Sequence, residues 1–310
     1  MEKGFKLVPV SSWDQLVTEY QQLQNSAEQW IFRGHRRSDW ALQTTLERAI
    51  YDFGIDTSKL KGMSVDERKN SLETLQTKSL SEGLGEDNTV SKIEGGLLRR
   101  FQRQCHHFTM QVPDEKNILE WLALMQHYKA PTRLLDWTFS FFVAVYFGVE
   151  YAESACAVWA FNTNWLARQL ESRYREEWKV IGDGGSDPNL RERETFEFVF
   201  QRKKALVVHV NPFRLNERSV IQQGIFLCPG DVSKSFEDNL SAIANGDFDG
   251  NLIKFEIVDD SQTRQEIIRN LHRMNMNRGT LFPGLDGFGE SLRTLISIPR
   301  ILTPDFRWPK

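Results

Sequence analysis

The spacing of apolar positions changes along the chain, and each change predicts a different element. After two serines at positions 11 and 12, apolar residues recur every three or four positions over residues 13–23, which predicts an amphipathic helix capped by a serine hydroxyl. The next apolar run, residues 29–34, has the length of a buried strand and stops at a glycine. We therefore predict that Arg33 lies at the end of a strand.

Three further helices are predicted in the middle of the chain, over residues 92–110, 115–128 and 139–149. Asp114 is expected to cap the second of them. The third is almost wholly apolar, but it is too short to cross a bilayer of about 30 Å, so it is predicted to be a buried core helix. Residues 132–138, which lie between the second and third helices, are expected to form a turn.

Short apolar runs of strand length dominate the second half of the chain. They lie at residues 155–161, 206–210, 221–227 and 252–258, and a last helix is predicted over residues 262–274. Because the strand at 29–34 cannot satisfy its backbone hydrogen bonds alone, strands from both halves are expected to share one sheet. The pattern predicts a single α+β domain over residues 1–310, with helices packed around a mixed or antiparallel sheet and insertions at about 54–90 and 164–190.

The charge balance and the cysteines argue against several classes of protein function. The chain of 310 residues has 39 Lys and Arg against 42 Asp and Glu, a net charge of −3, which argues against a nucleic-acid binder that relies on bulk positive charge. Cys105, Cys156 and Cys228 are widely spaced and odd in number, so they predict neither a disulfide framework nor a zinc site. The N-terminus lacks the segments of a secretory signal. We therefore expect a cytoplasmic protein without a membrane partner.

Several common catalytic signatures are absent from the sequence. It contains no phosphate-binding P-loop, no Gly-x-Gly-x-x-Gly after a strand, no Gly-x-Ser-x-Gly and no His-Glu-x-x-His. These absences argue against P-loop NTPases, Rossmann dehydrogenases, serine hydrolases and zincins. Cys105, His106 and His107 would point about 100° apart on a helix, and no further Cys or His stands at ligand spacing, so no metal site is expected.

The densest group of polar residues lies at positions 126–137. A histidine at the end of a helix, followed by a turn that presents an arginine and an aspartate, would place His127, Arg133 and Asp136 at one opening. The alternative is structural: Arg133 pairs with Asp136 to hold the turn, and His127 caps the carbonyls of its helix. The residues alone leave both interpretations open.

Four motifs together resemble the FRG domain family, which is named for its Phe-Arg-Gly sequence. The motifs are Phe32–Arg33–Gly34; Gln126–His127–Tyr128 with residues 131–138; Arg218 with residues 222–226; and residues 281–283 with 285–287. The resemblance covers about residues 12–293 and implies one FRG domain. The chain departs from the family at Lys129–Ala130, where Gly-Leu is usual, and at Gly284, where Asp is usual.

The strand-end arginine of this motif also resembles the first motif of mono-ADP-ribosyltransferases, in which such an arginine holds NAD. The resemblance implies an ADP-ribosyltransferase-like core and an NAD-using transferase or NAD glycohydrolase, with a role in bacterial anti-phage defence or as a toxin. A guanidinium suits this task because it pairs with two phosphate oxygens at once. We predict as catalytic residues Arg33, His127, Arg133, Asp136 and Gln223, and as NAD-binding residues Arg33, Gly34, Gln126, Tyr128, Thr132 and Gln222.

One feature of ADP-ribosyltransferases is missing, and it keeps other functions open. A late glutamate grips the ribose in those enzymes, whereas residues 221–224 offer only amides, and Glu217 and Glu290 are the nearest acidic residues. A non-catalytic module that senses a nucleotide or a phage component is therefore the alternative. A nuclease is disfavoured because clustered carboxylates for two metals are lacking. The acceptor of a transfer, a protein or a nucleic acid, is not specified by the sequence.

Arg33 and the glutamines at positions 222 and 223 could have structural roles instead of functional ones. The stem of Arg33 could pack beside Trp30 and Trp40 while its head pairs with a carboxylate such as that of Asp136. Glutamines such as those at 222 and 223, before a glycine, often satisfy backbone groups at a bulge. If Arg33, His127, Arg133 and Gln223 share one cavity, the functional interpretation is favoured. If they are scattered, the structural interpretation is favoured.

Overall fold

The computed structural model describes residues 4–52, 89–175, 203–212 and 216–297, together with residues 194, 196 and 198–200. They form a seven-stranded sheet with helices on both faces. The predicted α+β class is confirmed, and strands from both halves of the chain share the one sheet.

The sheet is mixed because one of its strand pairs is parallel. The strands are β1 (Lys6–Val10), β2 (Trp30–His35), β3 (Leu135–Thr138), β4 (Cys156–Asn162), β5 (Val207–Val210), β6 (Gly224–Pro229) and β7 (Leu252–Ile257). Their order across the sheet is β1-β7-β4-β2-β3-β6-β5. Strand β1 runs parallel to β7, and the other neighbours are antiparallel.

The helices of the described ranges vary from single turns to long core helices. They are α1 (Trp13–Gln24), α2 (Thr45–Asp52), α3 (Thr89–Cys105), α4 (Ile118–His127), α5 (Phe141–Val149), α6 (Thr163–Arg173), α7 (Glu217–Ile221), α8 (Phe236–Ala244), α9 (Ser261–Arg273), α10 (Arg278–Leu281) and α11 (Leu285–Ser297). None of the helices in these ranges is both long and apolar enough to span a bilayer.

The core has two layers, one on each face of the sheet. Helices α1, α5 and α9 cover one face, where Phe32 and Val158 point into an apolar cluster. Helices α4, α6 and α8 cover the other face, where Ile31 and Trp159 are buried. Neighbouring residues of β2 and β4 thus enter opposite layers, as the two-residue period of a strand requires. The side chains of Arg33 and His35 follow Ile31 on its face of β2.

Several predicted boundaries are wrong, and local hydrogen bonding explains each difference. Residues 135–138 form a strand rather than part of a turn, because they pair along their length with β6. Helix α4 is capped by Asn117 and not by Asp114, which instead accepts from the Lys116 N–H in the preceding turn. Ile221 is the last residue of helix α7, and residues 222 and 223 follow the helix, so strand β6 begins only at Gly224. Strand β2 continues past its glycine to His35.

The two predicted insertions are described only in part. Residues 54–88 and 176–190 lie outside the described residues. Residues 164–173 belong to helix α6, whose Trp165, Leu166 and Leu170 are buried. They are therefore part of the core rather than of a surface excursion.

Strands β2 and β3 separate soon after they meet at the centre of the sheet. The register joins them at one residue pair, Phe32 and Thr138. On their other sides, β2 pairs with β4 and β3 pairs with β6 along their whole lengths. The backbone edges of Arg33 and Asp136 therefore face a gap in the sheet, and this gap is the floor of the candidate site.

Gly34 lets helix α5 approach the same end of β2. A Cβ atom at Gly34 would lie 2.1 Å from the Ala144 carbonyl oxygen and 2.5 Å from the Gly148 nitrogen, both backbone atoms of α5. Real Cβ atoms do not tolerate such distances, so only glycine fits here. The glycine of the Phe-Arg-Gly motif thus fixes the distance between helix α5 and the strand that carries Arg33.

Candidate functional site

A cavity of about 1010 Å³ opens over the gap between β2 and β3. Strand β2 contributes Arg33, Gly34 and His35, and β3 contributes Asp136. The remaining walls come from α2, the end of α5, α7 and the α10–α11 segment. The cavity therefore brings together residues that are far apart in the sequence, at the only place in the described sheet where two central strands separate.

Two neighbouring groups hold the guanidinium of Arg33. Its Nε donates to Nε2 of His35 at 3.1 Å, and one terminal nitrogen donates to the backbone carbonyl of Asp136 at 2.6 Å. The predicted pairing with a carboxylate is thus replaced by a bond to a backbone oxygen across the gap. Burial lowers the pKa of Arg33 to about 10, so the side chain is still a cation at neutral pH.

A chain of hydrogen bonds positions the carboxylate of Asp136. Its Oδ2 accepts from the amide of Gln126 at 2.6 Å. The amide oxygen of Gln126 in turn accepts from the hydroxyls of Thr132 and Thr45, at 2.6 and 3.1 Å. Gln126 and Thr132, both predicted to bind a ligand, therefore orient Asp136 and do not line the cavity themselves.

A third wall consists of α7 and the two residues after it. The guanidinium of Arg218 lies 4.4 Å from the ring centre of Phe282, and Nε2 of Gln222 donates to the Leu281 carbonyl at 2.9 Å. Both side chains line the cavity. Gln223 adopts a left-handed conformation with φ of +49°, and its carbonyl accepts from the Phe139 N–H. Gln222 is thus at the site, whereas Gln223 shapes the turn into β6.

Arg278 closes the opposite side through two carboxylates. It pairs with Glu150 at 2.8 Å, and its Nε bonds to Glu290. The guanidinium also stacks near the rings of Tyr151 and Phe282, at 5.5 and 4.2 Å. Burial raises the pKa of Glu150, although bonds from Tyr146 and Arg278 oppose that effect. This arrangement fixes the α10–α11 segment against the end of α5.

An aromatic corner lies beside the arginines. Trp40 is 41% exposed, and the Arg36 guanidinium lies 6.0 Å from its ring centre and 5.7 Å from that of Tyr151. Tyr51 lines the same cavity. A planar ligand ring can stack on exposed aromatic side chains that lie beside cations.

A small cavity of about 80 Å³ adjoins the large one and shares Arg33, Gly34, Asp136 and Gln222 with it. Trp137 also lines it. The indole N–H of Trp137 is buried and has no hydrogen-bond partner among the residues that the structure describes. The Trp137 ring packs near Phe161 in the apolar cluster that contains Ile31, so its unpaired N–H marks a local cost of burial rather than a contact for a ligand.

The structure places Arg133 away from the cavity. Its guanidinium is 2% exposed and forms a two-bond pair with Glu94 of α3, so the predicted pairing with Asp136 is wrong. It also lies 4.6 Å from the ring centre of Phe200. Arg133 and Asp136 are three residues apart, but Arg133 lies in the bend before β3 and points to Glu94, whereas Asp136 lies within the strand.

His127 and Tyr128 also lie outside the lining of the large cavity. Their rings contact each other at 4.9 Å, and Tyr128 is 60% exposed at the edge of a separate apolar cavity of about 480 Å³. Burial and the nearby charge of Arg218 lower the pKa of His127. The next residue, Lys129, has φ of +62°, a left-handed conformation that glycine adopts more readily than lysine.

Of the predicted site residues, Arg33, Gly34, Asp136 and Gln222 line the cavity. The other predicted residues do not line it, so of the four whose convergence was to favour a functional site only Arg33 is there; those outside are Gln126, His127, Tyr128, Thr132, Arg133 and Gln223. Sequence reasoning missed several other lining residues, namely His35, Trp40, Arg48, Glu150, Tyr151, Arg278 and Phe282. Local signals exist for two of them, because His35 directly follows the Phe-Arg-Gly motif and Phe282 belongs to the motif at residues 281–283. The others come from segments whose convergence depends on the tertiary fold.

The cavity is rich in opposite charges. Its arginines are Arg33, Arg36, Arg48, Arg218, Arg278 and Arg293, and its carboxylates are Asp52, Asp136, Glu150, Glu153 and Glu290. Two of the carboxylates, Glu150 and Glu290, are bonded to Arg278. Within the described ranges, no cluster of three or more His, Cys, Asp or Glu residues has a geometry that could hold a metal ion.

Comparison with known proteins identifies part of the chain. Residues 28–156, less than half of the sequence, match the model of the FRG domain family. The match includes β2, β3 and α5, and therefore Arg33 and Asp136, whereas Arg218 and Arg278 lie beyond it. Neither the curated proteins nor the solved structures compared with the chain contain a match. The resemblance to ADP-ribosyltransferases thus stays a prediction.

Proposed function

We propose that the large cavity binds NAD and that the protein transfers or hydrolyses its ADP-ribosyl group. The observation that carries the proposal is the fixed guanidinium of Arg33 at the gap between β2 and β3, within a cavity that five further arginines line. Guanidinium groups pair with phosphate oxygens in a planar, two-bond geometry. A pyrophosphate is therefore the ligand group that this wall suits best.

The size and the aromatic residues of the cavity favour a nucleotide over a bare phosphate. Its volume of about 1010 Å³ corresponds to the upper range of small-molecule sites. Trp40 and Tyr151 offer ring faces on which an adenine or a nicotinamide could stack. A ligand with two aromatic rings joined by a pyrophosphate would use both the cationic and the aromatic parts of the site.

Asp136 is the carboxylate that the proposed chemistry would use. Cleavage of the bond between ribose C1′ and nicotinamide builds positive charge on the sugar, and a nearby carboxylate stabilises that charge. Nicotinamide leaves with the bonding electron pair, and water or an acceptor nucleophile then bonds to C1′. The Gln126 amide fixes one oxygen of Asp136, which favours a single orientation of the carboxylate. Asp136 would thus take the role of the glutamate that residues 221–224 lack.

We expect Arg33→Ala to weaken NAD binding while the protein keeps its fold. Removal of a charged donor from a phosphate typically weakens binding by about 10- to 100-fold, because such bonds contribute about 1.5–3 kcal/mol. Isothermal titration calorimetry with NAD measures the loss. Arg37→Ala is the matched control, since Arg37 is exposed and pairs only with Asp39 in the described structure. An Arg33→Ala variant with wild-type affinity would remove Arg33 from this role.

Turnover is tested separately from binding. Incubation of the wild-type protein with NAD should release nicotinamide, detected by mass spectrometry, and Asp136→Asn should lower the rate by at least about 100-fold. The asparagine keeps the volume of the side chain and can still bond to Gln126. Nicotinamide release at an undiminished rate from Asp136→Asn would contradict the proposed role of the carboxylate. An ADP-ribosyl adduct on an added protein or nucleic acid would identify the acceptor.

The second candidate function is a sensing module that binds the nucleotide without turnover. The observation that favours it is that the carboxylates Asp136, Glu150 and Glu290 are each hydrogen-bonded to a neighbouring side chain. Calorimetric binding of NAD without any release of nicotinamide would establish this function instead. Roles in anti-phage defence or as a toxin are predictions from the family resemblance. The described structure does not test them.

A further inference from the structure

His35 follows the Phe-Arg-Gly motif directly and lies on the same face of β2 as Arg33. Residues two positions apart in a strand share a face, so the two side chains are neighbours. His35 is 4% exposed, which is low for a histidine at the edge of a large cavity. Its ring is enclosed by Trp40 and Trp159, whose ring centres lie 6.2 and 6.4 Å away.

We propose that His35 is a positioning residue, which holds the guanidinium of Arg33 in the orientation that binds the ligand. The proposal rests on the proposed function only for the identity of that ligand. The geometry that carries it is the 3.1 Å bond from Nε of Arg33 to Nε2 of His35. Together with the bond to the Asp136 carbonyl, it fixes the guanidinium at two points, one on each side of the gap.

The bond requires one protonation state of the imidazole. A neutral imidazole has a single acceptor nitrogen, and an imidazolium has none. The indole nitrogen of Trp159 lies 3.3 Å from Nδ1 of His35, so Trp159 and Arg33 compete for that acceptor. Arg33 is the closer donor and the charged one, and it therefore takes the lone pair at Nε2. The proposal therefore requires the proton on Nδ1, the nitrogen that the Trp159 indole faces.

The surroundings keep His35 neutral. Burial lowers its pKa to about 2, and the charges of Arg33 on β2, Lys254 on β7 and Arg48 on α2 act in the same direction. At every physiological pH the ring therefore offers its acceptor to Arg33. A surface histidine would lose this acceptor near pH 6.5.

A pair of substitutions separates positioning from space filling. In the full-length protein, His35→Gln keeps an acceptor oxygen near the former Nε2, whereas His35→Leu removes it and leaves a similar apolar volume. We expect His35→Leu to weaken NAD binding by at least about 10-fold, as measured by calorimetry, and His35→Gln to stay within about 3-fold of the wild type. The matched control is His272→Leu, since His272 is a partly buried histidine of α9. This substitution should leave the affinity for NAD unchanged.

A double-mutant cycle tests whether His35 acts through Arg33. In an Arg33→Ala background, His35→Leu should have no further effect on NAD affinity, since the group that it positions is gone. Equal losses from His35→Leu in both backgrounds would overturn the proposal. So would parallel losses of affinity and thermal stability in His35→Gln and His35→Leu, because a purely structural role predicts them.

A measurement without ligand distinguishes this proposal from the proposed function. In uniformly ¹⁵N-labelled protein, the bond from Arg33 Nε–H to His35 Nε2 should give a scalar coupling between the two nitrogens, and His35→Gln should lose it. A coupling present in a protein that binds neither NAD nor inorganic pyrophosphate would support the positioning bond and refute the proposed function. A missing coupling, or an Nε2 that carries a proton, would overturn the proposal even if NAD binds.

Discussion

Replacement of Glu94 by glutamine is expected to destabilise the protein by about 3–5 kcal/mol, because it leaves the charge of Arg133 buried without a counterion. Glu94 and Arg133 are 1% and 2% exposed, and the guanidinium donates to both carboxylate oxygens. A further bond to the Pro229 carbonyl, at 3.4 Å, is too long to compensate for the loss. The free energy of unfolding, measured by urea denaturation, tests this expectation.

The exposed pair of Arg168 and Glu28 provides the control. These side chains are 56% and 30% exposed, so Glu28→Gln should cost at most about 1 kcal/mol. The double variant Glu94→Leu with Arg133→Met should recover much of the loss, because apolar residues of similar volume can replace a buried ion pair. A cost below about 1 kcal/mol for Glu94→Gln would mean that Arg133 has another partner for its charge.

The same variants test whether Arg133 has any direct role at the cavity. The Glu94–Arg133 pair ties α3 to the residues just before β3, and β3 carries Asp136. If Arg133 acts only through the fold, the double variant should bind NAD as the wild type does. A folded double variant without NAD binding would support the predicted catalytic role of Arg133 and would contradict a purely structural one.

The elements that could be predicted from the sequence are those with one clearly apolar face or a fully apolar run. Helix α1, strand β4 and helix α9 lie within one or two residues of their predicted bounds. Such segments form because one face or the whole segment is buried, and the buried apolar positions recur in the sequence with the period of a helix or a strand. Strand β1 is the edge strand of the sheet, and only Val8 and Val10 of its five residues are buried, so its apolar pattern is too short to predict a strand. Strand β3 has only four residues and closely follows a proline, so its sequence predicts a turn.

The site was predictable where its residues belong to a local motif. Arg33 and Asp136 could be found because each is a polar residue of a short motif set among apolar residues, and both line the cavity. Arg278 and Glu150 meet across 128 positions of the chain, and no local pattern records their contact. Proximity in sequence also misled: Asp136 is three residues from Arg133, but the true partner, Glu94, is 39 residues away. Long-range pairing of charges therefore limits what a single sequence can reveal.

Replacement of Gly34 by alanine is expected to cost about 3 kcal/mol or more, at or above the upper end of overpacking penalties. The new methyl group would lie 2.1 Å from a backbone oxygen and 2.5 Å from a backbone nitrogen of α5. Neither atom belongs to a flexible side chain, so helix α5 or strand β2 must move as a unit. Urea denaturation followed by tryptophan fluorescence measures the loss. Gly289→Ala in α11 is the control, because its Cβ would meet no atom within 4 Å and alanine favours a helix by up to about 1 kcal/mol.

The same substitution should also damage the site, and this separates the two roles within the Phe-Arg-Gly motif. Helix α5 carries Phe147, and Glu150 follows its last residue; both line the cavity beside Arg33. A displaced α5 would therefore weaken NAD binding and stability together, whereas Arg33→Ala should weaken binding alone. Gly34→Ala with unchanged stability would show that β2 and α5 can separate at no cost, and the close approach would then not explain the glycine. A stability loss without an affinity loss would show that the arginine site does not depend on the position of the helix.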